Sequence, residues 1–201
     1  MKRLLIFLLF LIITTSQLYA QRTDLSGLKF CFDAGHGGYG SNDRHVIPDA
    51  GIDFWESVSN YYKAVHIKHL LEAKGAVVYL TRTALDSTYS NTNDPAEPSL
   101  TARWQFANAN NVHWFHSIHS NAYSGTVNYT LLLVKEDIPT RTAVWPQAAV
   151  MSDIMGPKIQ QKLRNTMRSV WTYLDYTFYG GPNGGYNLGV LSGTAMPAEL
   201  S

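Results

Sequence analysis

Short β-prone runs alternate along this 201-residue chain with stretches of helical character, and that alternation limits the fold more than any other feature. Leu28–Phe32 reads as a strand that ends at Asp33, and Gly35, Gly37 and Gly38 around His36 mark a tight turn out of it. Ser57–Lys74 reads as a helix, with Val58, Tyr61, Tyr62, Val65, Leu70 and Leu71 as its apolar face and Gly75 as its stop. Ala76–Thr81 is then a strand, Ser99 caps a helix running to about Asn110, and Val112–Ile118 and Thr126–Val134 are further strands. Lys158–Trp171 carries Ile159, Leu163, Met167 and Val170 at helical spacing, with Gly156-Pro157 starting that helix or breaking it from an earlier piece. Thr83–Pro98 and Gly180–Gly185 read as loops, and Met196–Ser201 as a last strand. The expected fold is α/β: a single domain with a twisted, mostly parallel sheet flanked by helices on both faces.

In such sheets the chemistry gathers beyond the carboxyl ends of the strands. Two histidines fall at such ends, His36 in Asp33-Ala34-Gly35-His36-Gly37-Gly38 and His119 in Ser117-Ile118-His119-Ser120-Asn121-Ala122. Glu56 lies between them. Two imidazoles and one carboxylate suit a catalytic zinc that keeps one position open for water. Each residue also has a plainer reading. His36 fits a loop histidine bonded to backbone, Glu56 an acid favoured at a helix start, and His119 a strand-end cap. His113 shares a strand face with His119 but lies roughly 20 Å of strand upstream. His116 takes the opposite face, against Trp114 or a helix. His45 is a weaker substitute ligand, and His66 and His69 sit on a helix as surface or packing residues. Asp33 is either a turn residue satisfying loop amides or an acceptor that fixes the tautomer of a ligand histidine. Arg82 and Arg103 fit either structural ion pairs or a substrate carboxylate. Phe54, Trp55 and Tyr123 either line a groove or pack on the domain.

The first twenty residues have the form of a secretory signal: Lys2 and Arg3, an apolar run from Leu4 to Ile13, and Leu18-Tyr19-Ala20 as a cleavage site before Gln21. That run is short for a membrane span. Residues 21–27 form a lead-in, and residues 28–201 the catalytic domain. The expected location is therefore secreted, in the periplasm or cell envelope, with no stable membrane insertion after cleavage. A formal net charge of +1 without a basic run argues against a nucleic-acid partner. Cys31 is the single cysteine, flanked by Phe30 and Phe32, and reads as a small buried hydrophobe. A monomer is expected.

With these residues in place, the chain resembles the zinc-dependent N-acetylmuramoyl-L-alanine amidases of bacterial cell-wall turnover. The resemblance rests on five ordered segments: the Asp33–Gly38 string; Glu56 at a helix start with Asn60 after it; Gly75-Ala76-Val77-Val78-Tyr79-Leu80-Thr81-Arg82; Leu100, Arg103, Ala107 and Asn108 on one helix; and Ser117–Ala122. It implies hydrolysis of the amide joining the lactyl group of N-acetylmuramic acid to L-alanine in peptidoglycan. It also implies one zinc ion held by His36, Glu56 and His119. Two departures stand out. Ser57-Val58 replaces the family's acidic-lysine pair, which bears on substrate preference. The family's catalytic glutamate follows a Met-Pro-Ala-x-Leu-x string, which here is Met196–Ser201, so its counterpart would be the residue after Ser201. The expectation is a domain truncated at its C-terminus, binding zinc but turning over slowly. Glu199 is only a weak substitute, because in an extended strand it faces away from the matching position. Two other readings remain open: a zinc peptidase cutting within the peptide stem, and an inactive peptidoglycan-binding domain.

Overall fold

A computed structural model describes residues 24–37, 55–83, 93–94, 97–120, 129–163, 170–180 and 185–201. The signal segment, His45, Phe54 and Tyr123 lie outside the described residues. The central sheet contains β1 (Lys29–Ala34), β2 (Val77–Leu80), β5 (Trp114–Ile118), β6 (Leu131–Val134), β9 (Val170–Leu174) and β10 (Ala198–Leu200). Its order is β2-β1-β5-β10-β6-β9. All neighbours run parallel except β10 and β6, which are antiparallel. Two short pairs lie outside it: β3 (Asn93–Asp94) with β4 (Glu97–Pro98), and β7 (Glu136–Asp137) with β8 (Thr142–Ala143). The helices are α1 (Glu56–Glu72), α2 (Leu100–Ala109), α3 (Pro146–Leu163) and α4 (Asp175–Gly180).

Strand alternation decides which helix covers which face. Phe32, Ala34 and Ile118 pack with Ala64 of α1, and Trp114 and Val134 pack with Ala148 of α3. Cys31, Phe115, Leu131, Leu133, Ala198 and Leu200 point the other way, against Ala107 of α2 and the segment holding Val190 and Leu191. The expected α/β sheet with helices on both faces is therefore the observed architecture. Cys31 is fully buried among apolar neighbours, and burial, reinforced by the negative charge of Asp33, pushes its thiol pKa far up.

Three elements differ from the sequence reading. In α1, Tyr62 and Leu70 are exposed, while the inward face runs through Glu56, Asn60 and Ala64 to Ile67 and Leu71. The helix starts inside a polar site, so its buried stripe is polar for two turns. The helix expected over Lys158–Trp171 instead ends at Leu163 and begins at Pro146, and Val170–Leu174 is a strand. Gly156-Pro157 lies within α3 and neither starts nor ends it. Ala148, Ser152 and Gly156 recur along one buried stripe, and that packing outweighs the roughly 3 kcal/mol cost of an interior proline. Leu163, read as part of an apolar face, is largely exposed. Within the Thr83–Pro98 loop, β3 and β4 form a short antiparallel pair.

A candidate metal centre

Parallel pairing of β1 with β5 aligns Ala34 with Ile118. The residues that follow these two strands therefore leave the sheet side by side. His36 turns back with φ 59°, a left-handed conformation that histidine adopts more readily than most residues but which still carries strain. Glu56 enters from the first turn of α1, whose dipole favours a negative charge there.

One donor atom from each of His36, Glu56 and His119 lies within 4.8 Å of the other two. Glu56 Oε1 is 3.4 Å from His36 Nε2 and 3.2 Å from His119 Nδ1. The two rings stand nearly edge to face, with centroids 4.7 Å apart. Charge-assisted hydrogen bonds are shorter, near 2.7–2.9 Å. Donors about 2.1 Å from a tetrahedral zinc stand roughly 3.4 Å from one another. The donor set and its spacing thus fit a zinc-type ion. The imidazoles keep 22% and 24% of their side-chain surface open, against 4% for Glu56, so the histidines are partly open to solvent while the acid anchors the cluster in the interior.

The surroundings fix each of these side chains. Ser120 N donates to Glu56 Oε1 at 2.7 Å. Asn60 Nδ2 donates to the same oxygen at 3.4 Å and to Gly35 O at 3.3 Å. Burial works to raise the Glu56 pKa, but hydrogen bonds from His119, His36 and the Ser120 amide and the charge of His36 outweigh it, and the carboxyl is held well below its usual range. Gly35 is required for a steric reason: a Cβ there would stand 2.3 Å from His119 Nε2.

Asp33 makes no hydrogen bond to a histidine ring among the described residues. Its Oδ1 accepts from Arg103 Nη1 at 2.7 Å and from Thr81 Oγ1 at 2.5 Å, and its Oδ2 accepts from Ser117 Oγ at 2.6 Å. Burial pushes its pKa up, yet Arg103 and these hydrogen bonds bring it below the usual carboxylate range. Arg103 in turn donates to Ala34 O at 3.0 Å and to His36 O at 3.2 Å. The carboxylate therefore acts on the His36 turn through Arg103 and the backbone. Arg82 is buried, donates to Ser57 O at 2.9 Å and lies over the Tyr61 ring.

Glu199 is fully buried. It bonds His116 Nδ1 at 2.7 Å and accepts from Ser152 Oγ of α3 at 2.5 Å. His116 Nε2 contacts Ser201 Oγ at 2.8 Å, and Ser201 O accepts the His119 amide at 2.6 Å. His113, by contrast, is exposed and accepts Lys29 N at the opposite end of β5, and His66 and His69 are exposed on α1. Sequence reasoning did not find the His116–Glu199 pair. Its partners are 83 positions apart, and only β5–β10 pairing brings them together. It also passed over Lys63, whose spacing of seven from Glu56 was the available signal.

A family model described as N-acetylmuramoyl-L-alanine amidase matches residues 31–200. No curated protein matches the chain. Among solved structures, the catalytic domain of CwlV, an N-acetylmuramoyl-L-alanine amidase from Bacillus (Paenibacillus) polymyxa var. colistinus, is 21% identical, with a TM-score of 0.56 over 86% of this chain and 78% of that one. The N-acetylmuramoyl-L-alanine amidase AmiC2 of Nostoc punctiforme is 21% identical, with a TM-score of 0.57 over 87% and 78%. The CwlD amidase of Clostridioides difficile, solved in complex with the GerS lipoprotein, is 19% identical, with a TM-score of 0.61 over 86% and 80%. At these identities the likeness to the three structures is one of fold.

Proposed function

The chain belongs to the N-acetylmuramoyl-L-alanine amidase family, whose model spans residues 31–200, and from that premise we propose that it is a secreted zinc hydrolase of peptidoglycan. The bond cut is the amide between the lactyl group of N-acetylmuramic acid and L-alanine. The observation that carries this reading is the convergence of His36, Glu56 and His119 from three separate elements, with Glu56 Oε1 3.2 and 3.4 Å from the two imidazole nitrogens.

In this reading His36 Nε2, His119 Nδ1 and the Glu56 carboxylate hold one zinc ion. The chemistry zinc supplies in such a site is Lewis-acid polarisation of the scissile carbonyl and a lowered pKa for the attacking water. The chain's own contribution is preorganisation. The Ser120 amide donates to the Glu56 carboxylate and favours its charged form. Ser120 N and Asn60 fix the carboxylate, while Arg103 fixes the His36 turn. The left-handed His36 and the absent side chain at Gly35 let the two rings approach at an angle of 77°. Hydrolysis breaks the C–N bond, giving the lactyl carbon a hydroxyl and the alanine nitrogen a proton. Glu199 is not assigned to that proton transfer, since both its oxygens are engaged by His116 and Ser152.

The leader-like form of residues 1–20 supports secretion. The test is digestion of purified peptidoglycan by the zinc-loaded protein, with products read by mass spectrometry. Stem peptides beginning with a free L-alanine amine are the expected products. Cuts within the stem, or zinc binding unaffected by replacing His36 and His119, would overturn the reading.

A further inference from the structure

On α1, Glu56, Asn60 and Lys63 stand at i, i+4 and i+7 and so share one face of the helix. Lys63 Nζ donates to Ser120 Oγ at 3.1 Å and to Asn60 Oδ1 at 3.3 Å. These two acceptors flank the candidate metal centre: Ser120 follows His119, and Asn60 braces Glu56 and Gly35. Both are neutral, and between them they engage two of the three donors of an ammonium. Glu56, the acid whose charge reaches Lys63, is itself committed to the two imidazoles and the Ser120 amide. The residue is exposed overall. Its ammonium is still desolvated enough to lower its pKa, with Glu56 pulling the other way. Among the described residues this is a cation held in place by neutral partners, beside a candidate divalent-ion centre, and such a cation is a ready receptor for an anion.

We infer that Lys63 binds a carboxylate on the peptide side of the substrate and so selects stems that carry one near the scissile amide. This rests on the amidase reading given above. On the acyl side of that amide lies a neutral sugar ether. On the amine side lies a peptide, and carboxylates belong there.

Two probes test this: N-acetylmuramoyl-L-alanyl-D-glutamate with its γ-carboxyl capped as an N-methylamide and its α-carboxylate free, and the same γ-capped compound with an α-carboxamide. The scissile amide of each is N-methylated to block cleavage. Calorimetry on the zinc-loaded protein is expected to give at least ~10-fold tighter binding of the carboxylate, a preference that weakens as salt is raised. Lys63→Met brings the carboxylate probe down to the affinity of the carboxamide, and Lys63→Arg restores part of the difference. A melting curve for each variant verifies that it is folded. Equal binding of the two probes by the wild type, or a Lys63→Met variant that keeps the preference, would overturn the inference. Binding selectivity in a protein that releases no L-alanine-terminated peptide from peptidoglycan would overturn the amidase reading while upholding the role of Lys63.

Discussion

Replacing Gly35 by alanine should disable the site while leaving the fold standing. A Cβ at this position would lie 2.3, 2.4 and 2.6 Å from Nε2, Cε1 and Cδ2 of the His119 ring. Ordinary contact between such atoms begins near 3.5 Å, so the ring must retreat by about 1 Å. Its Nδ1 stands 3.2 Å from Glu56 Oε1, and a movement of that size takes it out of the donor triangle. Misplacement by roughly 1 Å costs on the order of 100-fold in rate, or about 2.7 kcal/mol. We predict that kcat/KM on a soluble muropeptide and zinc affinity, measured by chelator competition, both fall by about that factor. Gly35 does not occupy the left-handed backbone region, so the melting temperature should move by only a few degrees. Gly75→Ala is the contrasting control. Gly75 has φ +89° and its Cβ would meet Ser26 Oγ at 2.5 Å, so that change should cost about 1–2 kcal/mol of stability and leave zinc affinity intact. A Gly35→Ala protein with activity and zinc affinity within about threefold of wild type would refute the steric argument.

Asp33→Asn should cost about 3–5 kcal/mol in a denaturant melt, because it leaves Arg103 buried without its ion pair. Because the folded-state pKa of Asp33 is depressed, its contribution to stability is full above the unfolded value of about 3.9 and is lost as pH falls below it. An Asp33→Asn protein whose acid sensitivity matched wild type would contradict this. Glu199→Leu alone should be strongly destabilising, since it leaves His116 buried without its acid partner, whereas the double change His116→Phe with Glu199→Leu should recover most of the loss. Equal melting temperatures for the single and double variants would show that the pair is not coupled. Stripping zinc with a chelator should lower the melting temperature reversibly, by the equivalent of about 4 kcal/mol at a thousandfold excess of ion over Kd. The His119→Ala protein should show no such response.

The parts of the fold legible in the sequence were those written locally. Ser99 was recognisable as a cap, and its Oγ accepts from Ala102 N at 3.1 Å. The end of α1 was legible because Gly75 takes a positive φ that other residues avoid. The two histidine strings were legible as strand ends. Their joint role was implied by the family resemblance, whereas the parallel pairing of β1 with β5 that sets them side by side is written in neither string. What could not be read depended on distant context. The inward face of α1 is polar where it borders the site, so counting apolar residues selected Tyr62 and Leu70, which are exposed. The boundary of α3 was hidden by a proline that packing tolerates. Val170 carried on the helical spacing although it begins β9. Asp33 could be read as a turn residue or as an acceptor for a ligand histidine, and neither reading pointed to Arg103, 70 positions away, which pairs with its carboxylate and braces the His36 turn.

The central claim is that His36, Glu56 and His119 share one zinc ion. Diffraction from zinc-grown crystals, recorded on both sides of the zinc absorption edge, addresses it directly. The account predicts one anomalous peak per chain, about 2.0–2.2 Å from His36 Nε2, His119 Nδ1 and a Glu56 carboxylate oxygen. A peak elsewhere on the chain, or clear density for all three side chains with no ion between them at saturating zinc, would contradict it.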